Sequence, residues 1–109
     1  MVAQGDIIKV NFNPQSGNEQ AGYRPAVVIS NNFFNSKTNL VIVCPITNVN
    51  NKFPLHISLD SRTITAGVVL CEHVKALDLN NRGYKFIEKM PTDILEEIVS
   101  TVFSEIEMQ

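Results

Sequence analysis

The chain has 109 residues and a formal net charge of −2; 44% of its residues are hydrophobic and 18% are charged. This length suits one domain with its own core, so we expect residues 1–109 to form a single domain. No apolar run approaches the roughly 20 residues that a membrane-spanning helix requires. The first residues lack the basic and apolar parts of a secretory signal. The composition is ordinary for a soluble globular protein, and we expect a cytoplasmic location.

The charge is unevenly distributed along the chain. Residues 1–87 contain eight Lys or Arg and five Asp or Glu, whereas residues 88–109 contain one Lys and six Asp or Glu. A mildly basic body is weak evidence for a nucleic-acid partner. Cys44 and Cys71 each lie in an apolar run without metal-ligand spacing, so we expect buried free thiols and neither a metal nor a cofactor.

Most of the chain predicts short strands. Apolar residues that alternate with polar ones, or short β-branched runs, occur at Asp6–Phe12, Ala26–Ser30, Leu40–Cys44, Phe53–Leu59 and Gly67–Leu77. Pro54 favours an edge position for the fourth of these. The polar segment Asn31–Asn39 reads as a turn, with Phe33 and Phe34 covering one end of the core.

The last segment predicts a helix. Its apolar residues recur with helical spacing, at Ile94, Leu95, Ile98, Val99, Val102, Phe103 and Ile106. Thr92 is the expected N-cap, and Pro91 precedes it. The strands leave no room for crossover helices, so we predict a small antiparallel β-barrel with the terminal helix packed against it.

The segment from Ser16 to Ser30 organises the rest of the chain. Its first part, Gly17–Tyr23, is small and polar and predicts a loop. The run Ala26–Ile29 predicts a buried strand. Arg24 lies between them, and Pro25 restricts its backbone to extended geometry. Loops on rigid strands often hold functional residues, although most charged loop residues are simply solvated.

Few other side chains suggest chemistry. There is no phosphate-binding glycine loop, no Ser-His-Asp order and no zinc spacing. His56 and His73 are expected on the polar faces of strands, where an exposed structural histidine is the commoner case. An arginine, a hydroxyl and a carboxylate together bind phosphate without a metal, and Arg24, Thr47 and Glu19 offer such a set. Glu72 is a further polar residue at a strand end.

Four motifs, taken together, resemble one known family. They are G-D-I-I-K-V-N-F-N-P, G-N-E-Q-A-G-Y-R-P-A-V-V-I-S, C-P-I-T and G-V-V-L-C-E-H-V-K-A-L-D. In this order, from residue 5 to about 80, they are similar to the MazF/PemK toxins, the ribonuclease halves of bacterial toxin–antitoxin pairs. The resemblance implies a five-stranded SH3-like barrel, also found in CcdB-like toxins, that pairs as a homodimer. It further implies metal-independent, sequence-specific cleavage of single-stranded RNA and a MazE-like antitoxin as partner.

The resemblance also implies residue roles. The family's reactive arginine matches Arg24, and its strand-end threonine matches Thr47. Glu19 is our candidate base, and the 2′-hydroxyl of RNA is the expected nucleophile, which yields a 2′,3′-cyclic phosphate and a 5′-hydroxyl. The expected RNA-binding residues are Asn18, Gln20, Tyr23, Glu72 and His73. The chain departs from the family at Tyr23, where some relatives have histidine, and at His73, where glutamine is usual.

Two other functions remain open at this point. A gyrase-poisoning toxin on the same barrel would act by binding and would not need a reactive arginine. A non-catalytic SH3-like interaction module would need a groove of clustered, exposed aromatic side chains. Sequence preference would depend on the loops Pro14–Tyr23, Asn48–Lys52 and Ser61–Ala66, and incubation with RNA separates the enzyme from both alternatives.

Overall fold

The computed structural model describes residues 2–13, 22–49 and 53–109. These residues form seven strands and two α-helices, in the order β1 (Asp6–Asn11), β2 (Tyr23–Val28), α1 (Asn32–Thr38), β3 (Val41–Thr47), β4 (His56–Ser58), β5 (Val68–Leu70), β6 (Lys75–Leu77), β7 (Tyr84–Lys89) and α2 (Thr92–Glu105). Short 3-10 turns at Cys71–His73 and Leu79–Asn81 flank β6. None of the helices found there is long and apolar enough to cross a membrane.

The strands form an antiparallel sheet in the order β4-β5-β3-β2-β1-β7, and β6 also pairs with β3. The prediction of a mainly β fold with a C-terminal helix is confirmed. The prediction of a closed five-stranded barrel is not confirmed. The pairings among the described residues form an open sheet of seven strands. The reason lies in β3, which pairs with β2 along one edge and divides its other edge between β5 and β6.

Each face of the sheet covers its own apolar cluster. The first cluster lies under α2 and includes Ile7, Val27, Cys44, Ile46, Ile94 and Ile98. The second lies on the opposite face and includes Ile8, Val10, Phe12, Ala26, Val28, Val43 and Leu77. Successive side chains of a strand point to opposite faces, so alternate residues of β1, β2 and β3 enter different clusters. This alternation determines which face each site residue occupies.

The terminal helix forms as predicted, with two corrections. Ile94 and Ile98 are buried against the sheet. The N-cap is Pro91 rather than Thr92, and it offers no side-chain hydrogen bond. Phe103 and Ile106 keep the helical spacing but are 66% and 73% exposed, and Ile106 lies just beyond the end of α2.

The segment predicted as a turn at residues 31–39 contains α1. The Asn31 side chain accepts a hydrogen bond from the Phe34 amide, which caps the helix, and Asn39 ends it with a φ of +59°. Asparagine tolerates this left-handed conformation better than most residues. Phe33 does not cover the core, since it is 72% exposed. Seven residues are too few to show a clear helical period, which explains the error.

Three strand predictions also change. The expected strand over residues 67–77 is two strands, because the 3-10 turn at Cys71–His73 lets the chain move from one part of β3 to another. β4 keeps only three residues of the predicted run, although its edge position is confirmed. β7 was not predicted, because its side chains are largely exposed and do not alternate. Both cysteines are buried and free, as expected.

Candidate active site

Arg24 lies inside β2, not at the junction of a loop and a strand. It pairs with Val10 of β1, and Tyr23 pairs with Asn11, so this ladder extends β2 beyond Pro25 towards the N-terminus. The β2–β3 ladder stops earlier, at the pair Ala26–Pro45. Pro25 contributes to the difference, because it has no N–H to donate to β3 at the next position of this ladder.

Arg24 and Thr47 lie just beyond the end of the β2–β3 ladder. The last pair of that ladder is Ala26–Pro45, and the same antiparallel register, extended by two residues, would put Arg24 opposite Thr47. Directly opposite residues share a face, with Cβ atoms about 5 Å apart. Ala26 of β2 and Val43 of β3 belong to the second apolar cluster. Arg24 and Thr47 are two and four residues away from them, so both side chains lie on the same face of the sheet, at the edge of that cluster. Arg24 is exposed there and Thr47 is half-buried.

Thr47 is held by the strand on its other side. It pairs with Val68 of β5, and its Oγ1 accepts a hydrogen bond of 3.3 Å from the Val49 amide. Gly67 lies directly against it: a Cβ at that position would be 2.2 Å from the Thr47 carbonyl oxygen. Only glycine allows this approach, and its φ of +118° is also one that other residues avoid. Gly67 thus sets the position of Thr47.

The base of the β1–β2 loop is closed by hydrogen bonds. The Phe12 amide donates to the Gly22 carbonyl at 2.8 Å, and the Gly22 amide donates to Asn13 Oδ1 at 2.9 Å. Arg82 adds a long-range clamp, because its guanidinium donates to the carbonyls of Asn11 and Asn13 at 2.9 and 3.0 Å. These contacts are close to Arg24, because Gly22 precedes it by two residues and Asn11 pairs with its neighbour Tyr23. The predicted residues Asn18, Glu19 and Gln20 lie outside the described residues.

Glu72 and His73 lie apart from the Arg24–Thr47 pair. Both belong to the 3-10 turn that directly follows β5. Thr47 pairs with Val68, the first residue of β5. At the usual rise of a strand, the turn therefore begins about 10 Å from Thr47. His56 Nε2 lies 2.8 Å from Glu72 Oε2, and His73 Nε2 lies 3.8 Å from the same oxygen. The expectation of an exposed His56 is wrong, since its side chain is only 7% exposed.

The 3-10 turn at Cys71–His73 also contacts α2. Burial and the Glu72 carboxylate raise the pKa of Glu105. A hydrogen bond with Cys71 and burial raise the pKa of the Cys44 thiol, which makes that thiol a poor nucleophile. Among the described residues, no group of three His, Cys, Asp or Glu side chains has the arrangement of a metal site.

Comparisons with known proteins identify the family. Residues 3–104 match the model of the PemK-like, MazF-like toxin of type II toxin–antitoxin systems. The chain belongs to this toxin family. It is 35% identical to the endoribonuclease PemK of Escherichia coli over 100 residues, which cover 88% of this chain and 75% of that protein. It is 39% identical to the endoribonuclease toxin MazF of E. coli K12 over 79 residues, covering 72% and 70%.

Solved structures agree with the family assignment. The crystal structure of MazF from Deinococcus radiodurans has a TM-score of 0.91 and 34% identity, and the match covers 98% of this toxin and 97% of that chain. A MazE–MazF complex from the same bacterium has a TM-score of 0.85 and 33% identity, covering 99% and 97%. The prediction of a MazF/PemK-like toxin is therefore confirmed.

Three important features of this toxin were not predicted from the sequence. Gly67 and Arg82 act on backbone carbonyls, and no side-chain pattern in a sequence shows which carbonyl a residue will meet. The burial of His56 against Glu72 depends on two strands that are distant in sequence. A glycine directly before an apolar strand was the one available signal for Gly67.

Proposed function

We propose that this toxin is a sequence-specific, metal-independent endoribonuclease that cleaves single-stranded messenger RNA. The observation that supports this most is the β2–β3 register at Ala26–Pro45, which, extended by two residues, would put Arg24 opposite Thr47 on one face of the sheet. Two relatives over 30% identical are named endoribonucleases, which favours cleavage over gyrase poisoning or a non-catalytic module. Three tasks then fall to the site: orienting the 2′-hydroxyl, stabilising the charge of the phosphorane and moving two protons.

Arg24 and Thr47 suit the phosphate. The guanidinium stays charged at any working pH and offers a planar fork to two phosphate oxygens. The Thr47 hydroxyl donates one further hydrogen bond from the neighbouring strand. We propose Glu19 as the base that takes the 2′-hydroxyl proton. The 2′-oxygen then bonds to phosphorus as the P–O5′ bond breaks, and the departing 5′-oxygen takes up a proton from water, which gives a 2′,3′-cyclic phosphate and a 5′-hydroxyl.

We propose that the remaining predicted residues bind the RNA on either side of the cleaved bond. Asn18 and Gln20 lie in the sequence between β1 and β2, and Tyr23 is 53% exposed beside Arg24. Glu72 and His73 would contact nucleotides further away, because they lie about 10 Å from Thr47.

We propose that the toxin forms a homodimer and is neutralised by a MazE-like antitoxin in the cytoplasm. Exposed apolar side chains at the end of α2, Phe103 and Ile106, line a pocket together with Val74 and offer a surface for a second copy. Solved relatives of this fold include MazE–MazF complexes. An acidic, partly disordered antitoxin segment would compete with RNA because it presents a similar charge.

We also propose that the five strands β6-β3-β2-β1-β7 act as an SH3-like barrel within a single domain of residues 1–109. Leu77 of β6 and Leu79 of the following turn join the same cluster as Val10 of β1. Only residues 78–83 separate β6 from β7, the two ends of this sheet, so the cluster is enclosed by strands on several sides.

The test uses purified toxin and a labelled RNA, with and without a chelator, and a DNA strand of the same sequence. We expect the RNA to be cut in both cases and the DNA to survive, because DNA lacks the 2′-hydroxyl. Arg24→Lys keeps the charge but loses the fork, and we expect cleavage to fall by about 10²–10³ with an unchanged melting temperature. Cleavage that stops with chelator and returns with magnesium, or an Arg24→Lys variant that cuts normally, would contradict the proposal.

A further inference from the structure

Two lysines lie directly opposite each other on neighbouring strands. Lys9 of β1 pairs with Lys85 of β7, and on its other side it pairs with Pro25 of β2. Both lysines are exposed. Like charges in directly opposite positions destabilise a sheet. An anion bound between the two ammonium groups would relieve this repulsion.

The nearby acidic side chains are already bound elsewhere. Asp6 of β1 lies 2.7 Å from the ammonium of Lys89. Glu88 of β7 accepts hydrogen bonds from the amides of Ile64 and Thr65 at 2.9 and 2.8 Å. Neither Lys9 nor Lys85 forms an ion pair with any part of the chain that the structure describes. The patch is therefore positive and open to an external anion.

An aromatic ring completes this face. Tyr23 pairs with Asn11, two residues along β1 from Lys9, and so lies on the same face as the lysines. Its ring is 53% exposed, and the Lys9 ammonium lies 5.7 Å from the ring centroid. Two cations beside an exposed ring match what single-stranded nucleic acid offers, because the cations attract phosphates and the ring stacks on a base.

The position of this face relative to Arg24 gives its role. Tyr23 and Arg24 are consecutive, so their side chains leave the end of β2 on opposite faces of the sheet. An RNA strand that crosses the end of β2 would reach Arg24 with one phosphate and Tyr23 with a neighbouring nucleotide. We propose that Lys9, Lys85 and Tyr23 form an accessory face that binds nucleotides flanking the cleaved bond, independent of their sequence. This inference rests on the proposed function for its choice of RNA as the ligand.

The test measures binding without cleavage. The probe is a fluorescent 2′-O-methyl oligouridylate of about 14 nucleotides, which lacks the nucleophile and falls within the ~4–16 nucleotides that single-strand grooves cover. Affinity is measured over a range of salt concentrations for wild type, Lys9→Gln and Lys85→Gln. Removing one lysine–phosphate interaction lowers the slope of log affinity against log salt by about 0.7. We expect that decrease in each single variant.

Lys37→Gln is the matched control. Lys37 is also exposed and also lies over a ring, 5.9 Å from the Phe33 centroid, but it belongs to α1. We expect its salt slope to equal that of wild type. Tyr23→Phe should keep the affinity, whereas Tyr23→Leu should lower it about tenfold or more, because only the latter removes the stacking ring.

Two results would overturn the accessory face. One is a wild-type salt slope in both Lys9→Gln and Lys85→Gln. The other is weaker binding of polyglutamate, but not of the oligouridylate, in those variants, since this would assign the face to an acidic peptide. If wild type fails to cut RNA while the slopes still fall as expected, the accessory face stands and the proposed function fails.

Discussion

Gly67→Ala is the substitution that tests the Thr47 site most directly. The added Cβ would lie 2.2 Å from the Thr47 carbonyl oxygen and 2.8 Å from its carbonyl carbon. Atoms cannot remain so close, and both partners are backbone atoms, so the end of β3 must move away from β5. The φ of +118° is a second cost, about 1–3 kcal/mol for a residue other than glycine.

The two costs together predict a large loss of stability. We expect Gly67→Ala to lower the free energy of unfolding by about 3 kcal/mol or more, which corresponds to a decrease in melting temperature of ~10–20 °C for a domain of this size. Gly83→Ala is the matched control, because Gly83 has a φ of +66° but nothing within 4 Å of its added Cβ. It should cost only about 1–2 kcal/mol.

The assay combines thermal melting with RNA cleavage at a temperature where both variants are folded. We expect Gly67→Ala to cut slowly even when folded, because Thr47 moves with its carbonyl, while Gly83→Ala cuts normally. The reasoning is refuted if the two variants melt within a few degrees of each other and Gly67→Ala keeps the wild-type cleavage rate.

Three further predictions follow from the site and its surroundings. Thr47→Val should lower the cleavage rate by roughly tenfold, less than Arg24→Lys does, because a neutral hydroxyl donates a weaker bond; equal decreases would contradict the assignment. Arg82→Gln should speed amide hydrogen exchange at the base of the β1–β2 loop, and unchanged exchange would show that the clamp is dispensable. Burial and a nearby carboxylate raise the pKa of Glu105, so its ionisation costs stability as pH rises. Glu105→Gln should therefore melt above wild type at pH 7 in calorimetry but not below about pH 4, and a variant that melts no higher at pH 7 would be evidence against this account.

The terminal helix and the site motif show how much local sequence can predict. The helical spacing of α2 and the β-branched runs of β2 and β3 are properties of short windows, and the structure confirms them. Motifs and resemblance predict Arg24 and Thr47 as site residues, and the β2–β3 ladder ends two residues before both of them. Local propensity failed at α1, which is too short to show a period, and it made β4 longer than the structure has it.

The long-range contacts could not be predicted in the same way. Arg82 reaches carbonyls about 70 positions earlier in the chain, and Gly67 meets the backbone of Thr47 across two strands. Neither contact leaves a periodic trace, because a carbonyl is present at every residue. The exposed pair Lys9 and Lys85 looks like two ordinary surface lysines until the sheet places them opposite each other.

By itself, the sequence determined the strands β1 to β3, the terminal helix, which residues are apolar enough for a core, and which side chains can bind phosphate. These properties depend on neighbours a few positions apart, where alternation and helical spacing act. The tertiary structure alone decided that β3 divides its edge between two partners, and which residues face each other across strands. Pairing register is a property of two segments, and it is set by the burial of whole faces rather than by either segment alone.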